Sequence, residues 1–201
     1  FKSIVYQTID FVERELHDHE NHAFYSSLDA DSEGKEGKFY LWSKEELKSI
    51  LKENYDICRD YYNINKHGFW EENYILLKKS QDSLVAKKHN ISQLELRQKI
   101  KTINKLLFNV RSNRVRPALD DKCLTSWNGL MLKAYTDAYK TFNEKKFLNK
   151  AIKNGKFILT KQIKKDGGLF HSYKNGKSTI NGFLEDYAFV TEAFISLYEI
   201  T

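Results

Sequence analysis

Arg116-Pro117-Ala118-Leu119-Asp120-Asp121-Lys122-Cys123-Leu124-Thr125-Ser126-Trp127-Asn128-Gly129-Leu130-Met131 joins the chain's single proline and two adjacent carboxylates to an apolar run with helical spacing. Pro117 fixes its own φ and pushes Arg116 toward an extended conformation. Asp120 and Asp121 are then expected where a helix begins, with Thr125 and Ser126 as further cap candidates. One reading is a well-capped buried helix and no more. The other is a pocket at the mouth of the helix, lined by Asp120, Asp121, Trp127 and Asn128.

The same grammar recurs downstream. Asn181-Gly182-Phe183-Leu184-Glu185-Asp186-Tyr187 leads into an apolar, aromatic-rich run that ends at Tyr198, and Asn128 and Asp186 stand at equivalent positions about 58 residues apart. Between them, Lys145 to Lys164 reads as a second helix, closed by Lys165-Asp166-Gly167-Gly168. Leu169-Phe170-His171-Ser172-Tyr173 alternates like a strand, and Asn175-Gly176 is a hairpin turn signal. The unit is therefore helix, helix, hairpin, helix. The runs from Leu124 to Phe142 and from Phe183 to Ile200 are apolar on most faces and read as inner helices packed side by side, with the lysine-rich helix outside. An ordinary antiparallel bundle is the competing architecture; the intervening hairpin favours a ring of helical hairpins, because bundles join helices with short plain loops.

Three stretches, in order, carry a family resemblance. Phe24-Tyr25-Ser26-Ser27-Leu28-Asp29-Ala30-Asp31-Ser32-Glu33-Gly34 with Glu36-Gly37-Lys38-Phe39-Tyr40-Leu41-Trp42 is one; Arg116 to Met131 and Phe183 to Phe189 are the others. Together they resemble the family comprising spermatogenesis-associated protein 20 and bacterial YyaL-type proteins. The resemblance covers most of the chain and is loose from Asp56 to Lys105. It implies a mainly α fold: part of an (α/α) toroid of helical hairpins, six-hairpin glycosidase-like, with short β-hairpins at the mouth. It further implies a thioredoxin-like domain, which this chain lacks, as the partner of the same polypeptide. Residues 1–201 accordingly read as part of a single toroid domain, a central stretch of a longer protein. Cys123 stands where the family more often has an aliphatic residue, a small change for a buried thiol.

Composition narrows the classes. The chain has 201 residues, ample aromatics and ordinary apolar content, so it can bury a core. No apolar run is long enough to cross a membrane and no signal peptide is present, which points to a cytoplasmic protein. Cys58 and Cys123 lie far apart and form no C-x-x-C pair, so both are expected as reduced thiols. The net charge of +6 invites a nucleic-acid partner. The lysines alternate with apolar positions as on solvated helix faces, and no nucleic-acid motif accompanies them, so that partner is not expected.

The loop Asp29-x-Asp31-x-Glu33-Gly34 imitates half an EF-hand, but its twelfth position is Tyr40, so calcium binding by that route fails. The loop reads as a polar turn between strands Ala23 to Ser27 and Lys38 to Trp42, or as a mouth loop whose carboxylates and aromatic rings meet sugar hydroxyls and ring faces. His17, His19 and His22 read as solvated residues at the end of the first helix, since the spacing of His17 and His19 does not share one helix face. No metal ligand set and no cofactor are expected.

Two functions follow. In the first, the chain is a carbohydrate-active or sugar-binding domain, epimerase/isomerase- or glycosidase-like. Asp120, Asp121, Glu185, Asp186 and His171 would be catalytic, and Asp29, Asp31, Glu33, Trp42, Arg116, Trp127, Asn128 and Tyr187 would bind a carbohydrate. In the second, it is a noncatalytic scaffold that binds a partner or client for the thioredoxin-like domain. The carboxyl groups at the two inner-helix starts, together with the Asp29 loop, are expected to cluster at one end of the ring.

Overall fold

The computed structural model describes residues 1–65, 67–70 and 72–201. They divide into two compact units, residues 1–28 with 119–201 and residues 29–118. The class is mainly α, with helices paired as hairpins and short antiparallel strands between them.

The first unit opens with α1 (Lys2–Glu15). β1 (His17–Asp18) pairs antiparallel with β2 (Ala23–Phe24), and β3 (Ser27–Leu28) follows. His17 therefore lies in a strand rather than at a helix end. Asp18 causes this: its Oδ1 accepts the N–H groups of Glu20 at 3.0 Å and Asn21 at 3.2 Å, a turn that competes with helix continuation.

The second unit contains β4 (Asp31–Ser32), β5 (Lys35–Glu36), α2 (Lys44–Leu51), α3 (Tyr55–Tyr61), β6 (Phe69–Trp70), β7 (Asn73–Tyr74), α4 (Asp82–Lys88) and α5 (Gln93–Ser112). The strand expected from Lys38 to Trp42 does not form. Asp31–Ser32 pairs instead with Lys35–Glu36, because Glu33 (φ 53°) and Gly34 (φ 70°) close a two-residue turn at once. Trp42 bridges to Tyr74. Ser43 Oγ accepts the Glu46 N–H at 3.0 Å and starts α2 as its Ser-x-x-Glu pattern requires. The helix opened at Ser43 breaks at Lys52, whose φ of 49° is left-handed, and the chain becomes α-helical again at α3. Leu96, Ile100, Ile103 and Leu107 form one stripe of α5 and pack with Leu47, Leu51, Tyr55, Ile57, Val85 and Trp42 into this unit's core.

The chain returns to the first unit with β8 (Leu119–Asp120), which pairs with β3, then β9 (Cys123–Leu124), α6 (Thr125–Phe142) and α7 (Lys145–Phe157). Asn143, at φ 53°, ends α6 in the left-handed region, and the two-residue link turns α7 back antiparallel. A π-helical turn, Ile158–Gln162, leads to β10 (Phe170–Lys174) and β11 (Lys177–Asn181), joined through Asn175 (φ 50°) and Gly176 (φ 78°). β9 adds to the free edge of β10, and α8 (Leu184–Tyr198) closes the unit.

α6 and α8 pack side by side, as the matched pattern demands. Gly129 allows it: a Cβ there would stand 3.1 Å from the Phe189 carbonyl carbon and the Val190 nitrogen, so the backbones touch. α7 contributes Phe147, Ala151 and Phe157 to the core and turns its lysine-rich face outward. Trp127 and Leu130 of α6 and Leu184, Ile195 and Tyr198 of α8 nevertheless remain exposed, so these helices are not buried all round. Among the described residues, no helix is long and apolar enough to cross a membrane.

Asn128 lies fully buried in the first turn of α6. Its amide accepts the Phe24 N–H at 2.9 Å and an N–H of Asn154 at 3.1 Å, and donates to the carbonyls of Phe24 (3.1 Å) and Leu124 (2.9 Å). It is the peg that holds β2 on α6. Asn128→Ala removes four hydrogen bonds at a buried site, so it is expected to lower stability by about 2–4 kcal/mol. A denaturant titration checks this; a midpoint within error of the wild type would remove Asn128 from that role.

Candidate functional site

The starts of α6 and α8 and the strand β10 come together on one residue. Asp186, in the first turn of α8, is fully buried. Its Oδ1 accepts the Ser126 N–H of α6 at 2.8 Å. Its Oδ2 accepts the Phe183 N–H at 2.8 Å and faces His171 Nδ1 at 2.9 Å. One carboxylate thus caps its own helix, caps the neighbouring helix and holds an imidazole. The expected cap by Thr125 or Ser126 on α6 is not used: Leu124 is the cap position with no side-chain bond, and Thr125 Oγ1 donates to the Phe170 carbonyl at 2.6 Å. That bond ties β10 to the start of α6 and so fixes where His171 stands.

With its Nδ1 turned to a carboxylate, the His171 ring in its neutral form donates that N–H to Asp186 and keeps its lone pair on Nε2. The Phe183 ring meets the imidazole edge-on at 4.7 Å between centroids. Ligand atoms of His171, Glu185 and Asp186 lie within 4.8 Å of one another, with Glu185 exposed. As a cation site this trio is poor, because both Asp186 oxygens already serve three N–H donors. As a proton-transfer site it is well formed: an oriented imidazole, a second exposed carboxyl group, and the half-exposed rings of Trp127, Phe183 and Tyr187. Tyr187 also accepts the Leu169 N–H on its hydroxyl at 3.0 Å, which fixes its ring against the base of the hairpin.

The other expected residues fall elsewhere in their units. Asp120 does not begin a helix; it lies in β8, paired with Lys122 at 3.1 Å. Burial pushes its carboxyl up, but Lys122 outweighs that and holds it below the usual carboxylate range. Asp121 is ion-paired to Lys174. Strand alternation puts Lys174 on the face of β10 opposite His171, so Asp121 is drawn away from the imidazole. Asn128 is a buried structural peg, closed to ligand. In the second unit, Asp29 Oδ1 accepts the Asp31 N–H at 3.2 Å, and Glu33 pairs with Lys38 at 2.7 Å. Trp42 is 3% exposed, with the Arg114 guanidinium 4.0 Å from its ring centroid, so it is a core residue and no platform for a sugar. Arg116 lies over the Phe39 ring at 5.5 Å. Sequence reasoning missed Phe183 and Ser126 as members of the His171 site; the matched starts of α6 and α8 were the signal that could have found them.

No protein-family model matches the chain. It is similar to an uncharacterized protein of Caenorhabditis elegans, 32% identical over 90% of this chain and 29% of that one. It is also similar to spermatogenesis-associated protein 20 of Homo sapiens (26% identical, 95% of this chain and 29% of that one) and of Rattus norvegicus (26%, 99% and 30%). The resemblance read from three motifs therefore extends along nearly the whole chain, which spans about 30% of the length of these relatives at most. Two solved structures match the chain at low similarity. Cellobiose 2-epimerase from Bacillus thermoamylovorans is 15% identical, with a TM-score of 0.39, over 100% of this chain and 51% of that one. Cellobiose 2-epimerase from Spirochaeta thermophila is 12% identical, with a TM-score of 0.36, over 97% and 64%.

A second histidine group lies apart from His171. His17 Nδ1 stands 3.0 Å from His19 Nδ1, and the His17 and His22 rings stack at 6.0 Å. With Phe24, Tyr135, Lys150 and Lys153, His17 and His22 line a cavity of about 130 Å³. Burial, then the charges of His19, Lys150 and His22, push His17 down from 6.5 to about 4, against the pull of Glu13. The unfolded chain therefore takes up a proton near 6.5 that the folded chain refuses until about 4. Stability must fall as pH drops through that window. The difference in unfolding midpoint between pH 7.5 and pH 5 is expected to shrink in His17→Gln; an unchanged difference would show that His17 does not carry it.

Proposed function

We propose that this chain, a relative of spermatogenesis-associated protein 20, is part of an α/α toroid that binds a sugar and moves a proton on it, with His171 as the base. The observation that supports this most directly is the His171–Asp186 pair: a buried, doubly capping carboxylate orients an imidazole whose Nε2 is left free. Trp127, Phe183 and Tyr187 offer apolar ring faces of the kind that stack on a pyranose, and Glu185 supplies an exposed carboxyl group to bond a hydroxyl or return the proton. The reaction class is proton abstraction at the carbon beside a sugar's carbonyl, as in epimerisation or isomerisation. Hydrolysis is less well served. It needs two working carboxyl groups about 5–9.5 Å apart, and Asp186 is engaged by three N–H donors. The two cysteines are free and buried, which suits a reducing compartment such as the cytoplasm.

The test uses the full-length protein with a panel of aldoses and disaccharides in D2O, following deuterium uptake at the carbon beside the carbonyl by NMR. Wild type is expected to exchange. His171→Asn should lose about 10²–10⁴-fold in rate, and Asp186→Asn about 10–100-fold through misorientation of the imidazole. Asp121→Asn should be near wild type. Absence of both sugar binding and exchange would leave the scaffold reading, which the exposed Leu184, Ile195 and Tyr198 favour.

A further inference from the structure

The second unit carries a basic cleft that plays no part in the sugar reading. α2 presents Lys44 and Lys48 one turn apart, and Lys52 follows one turn on, at the break before α3. Across from them stands Arg59 of α3. With Glu53, Tyr55, Asp56 and Asn65 these residues enclose about 430 Å³. Four cations therefore share the cleft with two carboxylates. Arg59 is already held, since its Nη1 donates to Asp56 at 2.6 Å and its Nε to Asp60 at 3.2 Å, so the three lysines carry the cleft's excess charge. Among the described residues, no carboxylate pairs with the ammonium of Lys44, Lys48 or Lys52. Like charges set along one helix face repel one another, by a few tenths of a kcal/mol per pair. A cleft that keeps such a stripe without counter-charges is suited to an anion that supplies them.

Tyr55 provides the independent observation. It lines this cleft, is 7% exposed, and its hydroxyl is buried without a hydrogen-bond partner. A phenol taken out of water and left unpaired costs about 1–3 kcal/mol. Burial also pushes its titration upward, so the hydroxyl keeps its proton and remains a donor. Lys48 lies over the Tyr55 ring, with Nζ 5.7 Å from the centroid.

We propose that the cleft between α2 and α3 binds a small phosphorylated anion, with Lys44, Lys48 and Lys52 meeting its charge and the Tyr55 hydroxyl donating to one of its oxygens. The volume admits a ligand larger than a single phosphate, and a charge of about −2 balances three lysines set against Glu53.

The experiment is calorimetric titration of the chain with inorganic pyrophosphate at low and physiological salt. Wild type is expected to bind at a single site. The Lys44→Gln/Lys48→Gln double variant should weaken the dissociation constant at least tenfold. Tyr55→Phe should weaken it about three- to tenfold while folding stability stays level or rises, because an unpaired buried hydroxyl is removed. A control variant on another lysine-rich helix, Lys145→Gln/Lys153→Gln, should bind as wild type does. Absence of pyrophosphate binding overturns the proposal. So do equal losses in the control variant, which would show binding to net charge alone, and a Tyr55→Phe variant with unchanged affinity.

Discussion

The first unit is organised by a charge taken out of water. A lone buried carboxylate is costly, and it is tolerated only where hydrogen bonds replace its hydration. Asp186 meets that demand with two backbone N–H groups from different helices and one imidazole. Because those donors must converge on a single carboxyl group, the start of α6, the start of α8 and the face of β10 have little freedom to move apart. The close backbone approach at Gly129 holds the same two helices together further along their length. The position of His171 is thus a by-product of how the helices are capped.

Asn128 does at α6 what Asp186 does at α8. Each is a buried polar residue in the first turn of a helix, and each satisfies the backbone of a neighbouring short strand or helix start. The difference in chemistry separates their roles. An amide bonded to Phe24, Leu124 and Asn154 has all its capacity used and leaves nothing for a ligand. A carboxylate bonded to an imidazole passes its influence outward to a group that still has a free nitrogen.

The second unit reaches its stability by a different route. Its helices α2, α3 and α4 are short, and α2 and α5 begin at Ser43 and Ser92, each with Glu three residues on. Its core gathers Trp42 and Tyr55 around the α5 stripe. The Arg114 guanidinium illustrates how a cation is accommodated there. It lies on the Trp42 ring and donates to the Phe39 and Leu41 carbonyls and to Glu46, so a residue that reads as surface charge closes a loop onto a core.

What the sequence determined by itself is the part governed by local periodicity and turn chemistry. The helices α1, α5, α6, α7 and α8, the Asn175-Gly176 hairpin and the pairing of α6 with α8 follow from apolar spacing and from residues that favour positive φ. Tertiary structure decided which polar residues face one another. Asp120, Asp121 and Asp186 look alike along the chain, yet two are held by lysines and one is buried beneath a histidine. Trp42 looks like a ligand platform and is core. The reason is physical: a side chain's role is set by its desolvation and its partners, and at these positions the partner lies far away in sequence, 60 residues between Ser126 and Asp186 and 104 between Phe24 and Asn128. A matched pattern can pair two helices over such distances, but it does not say which side-chain atoms meet, and only the packed fold brings those groups within reach.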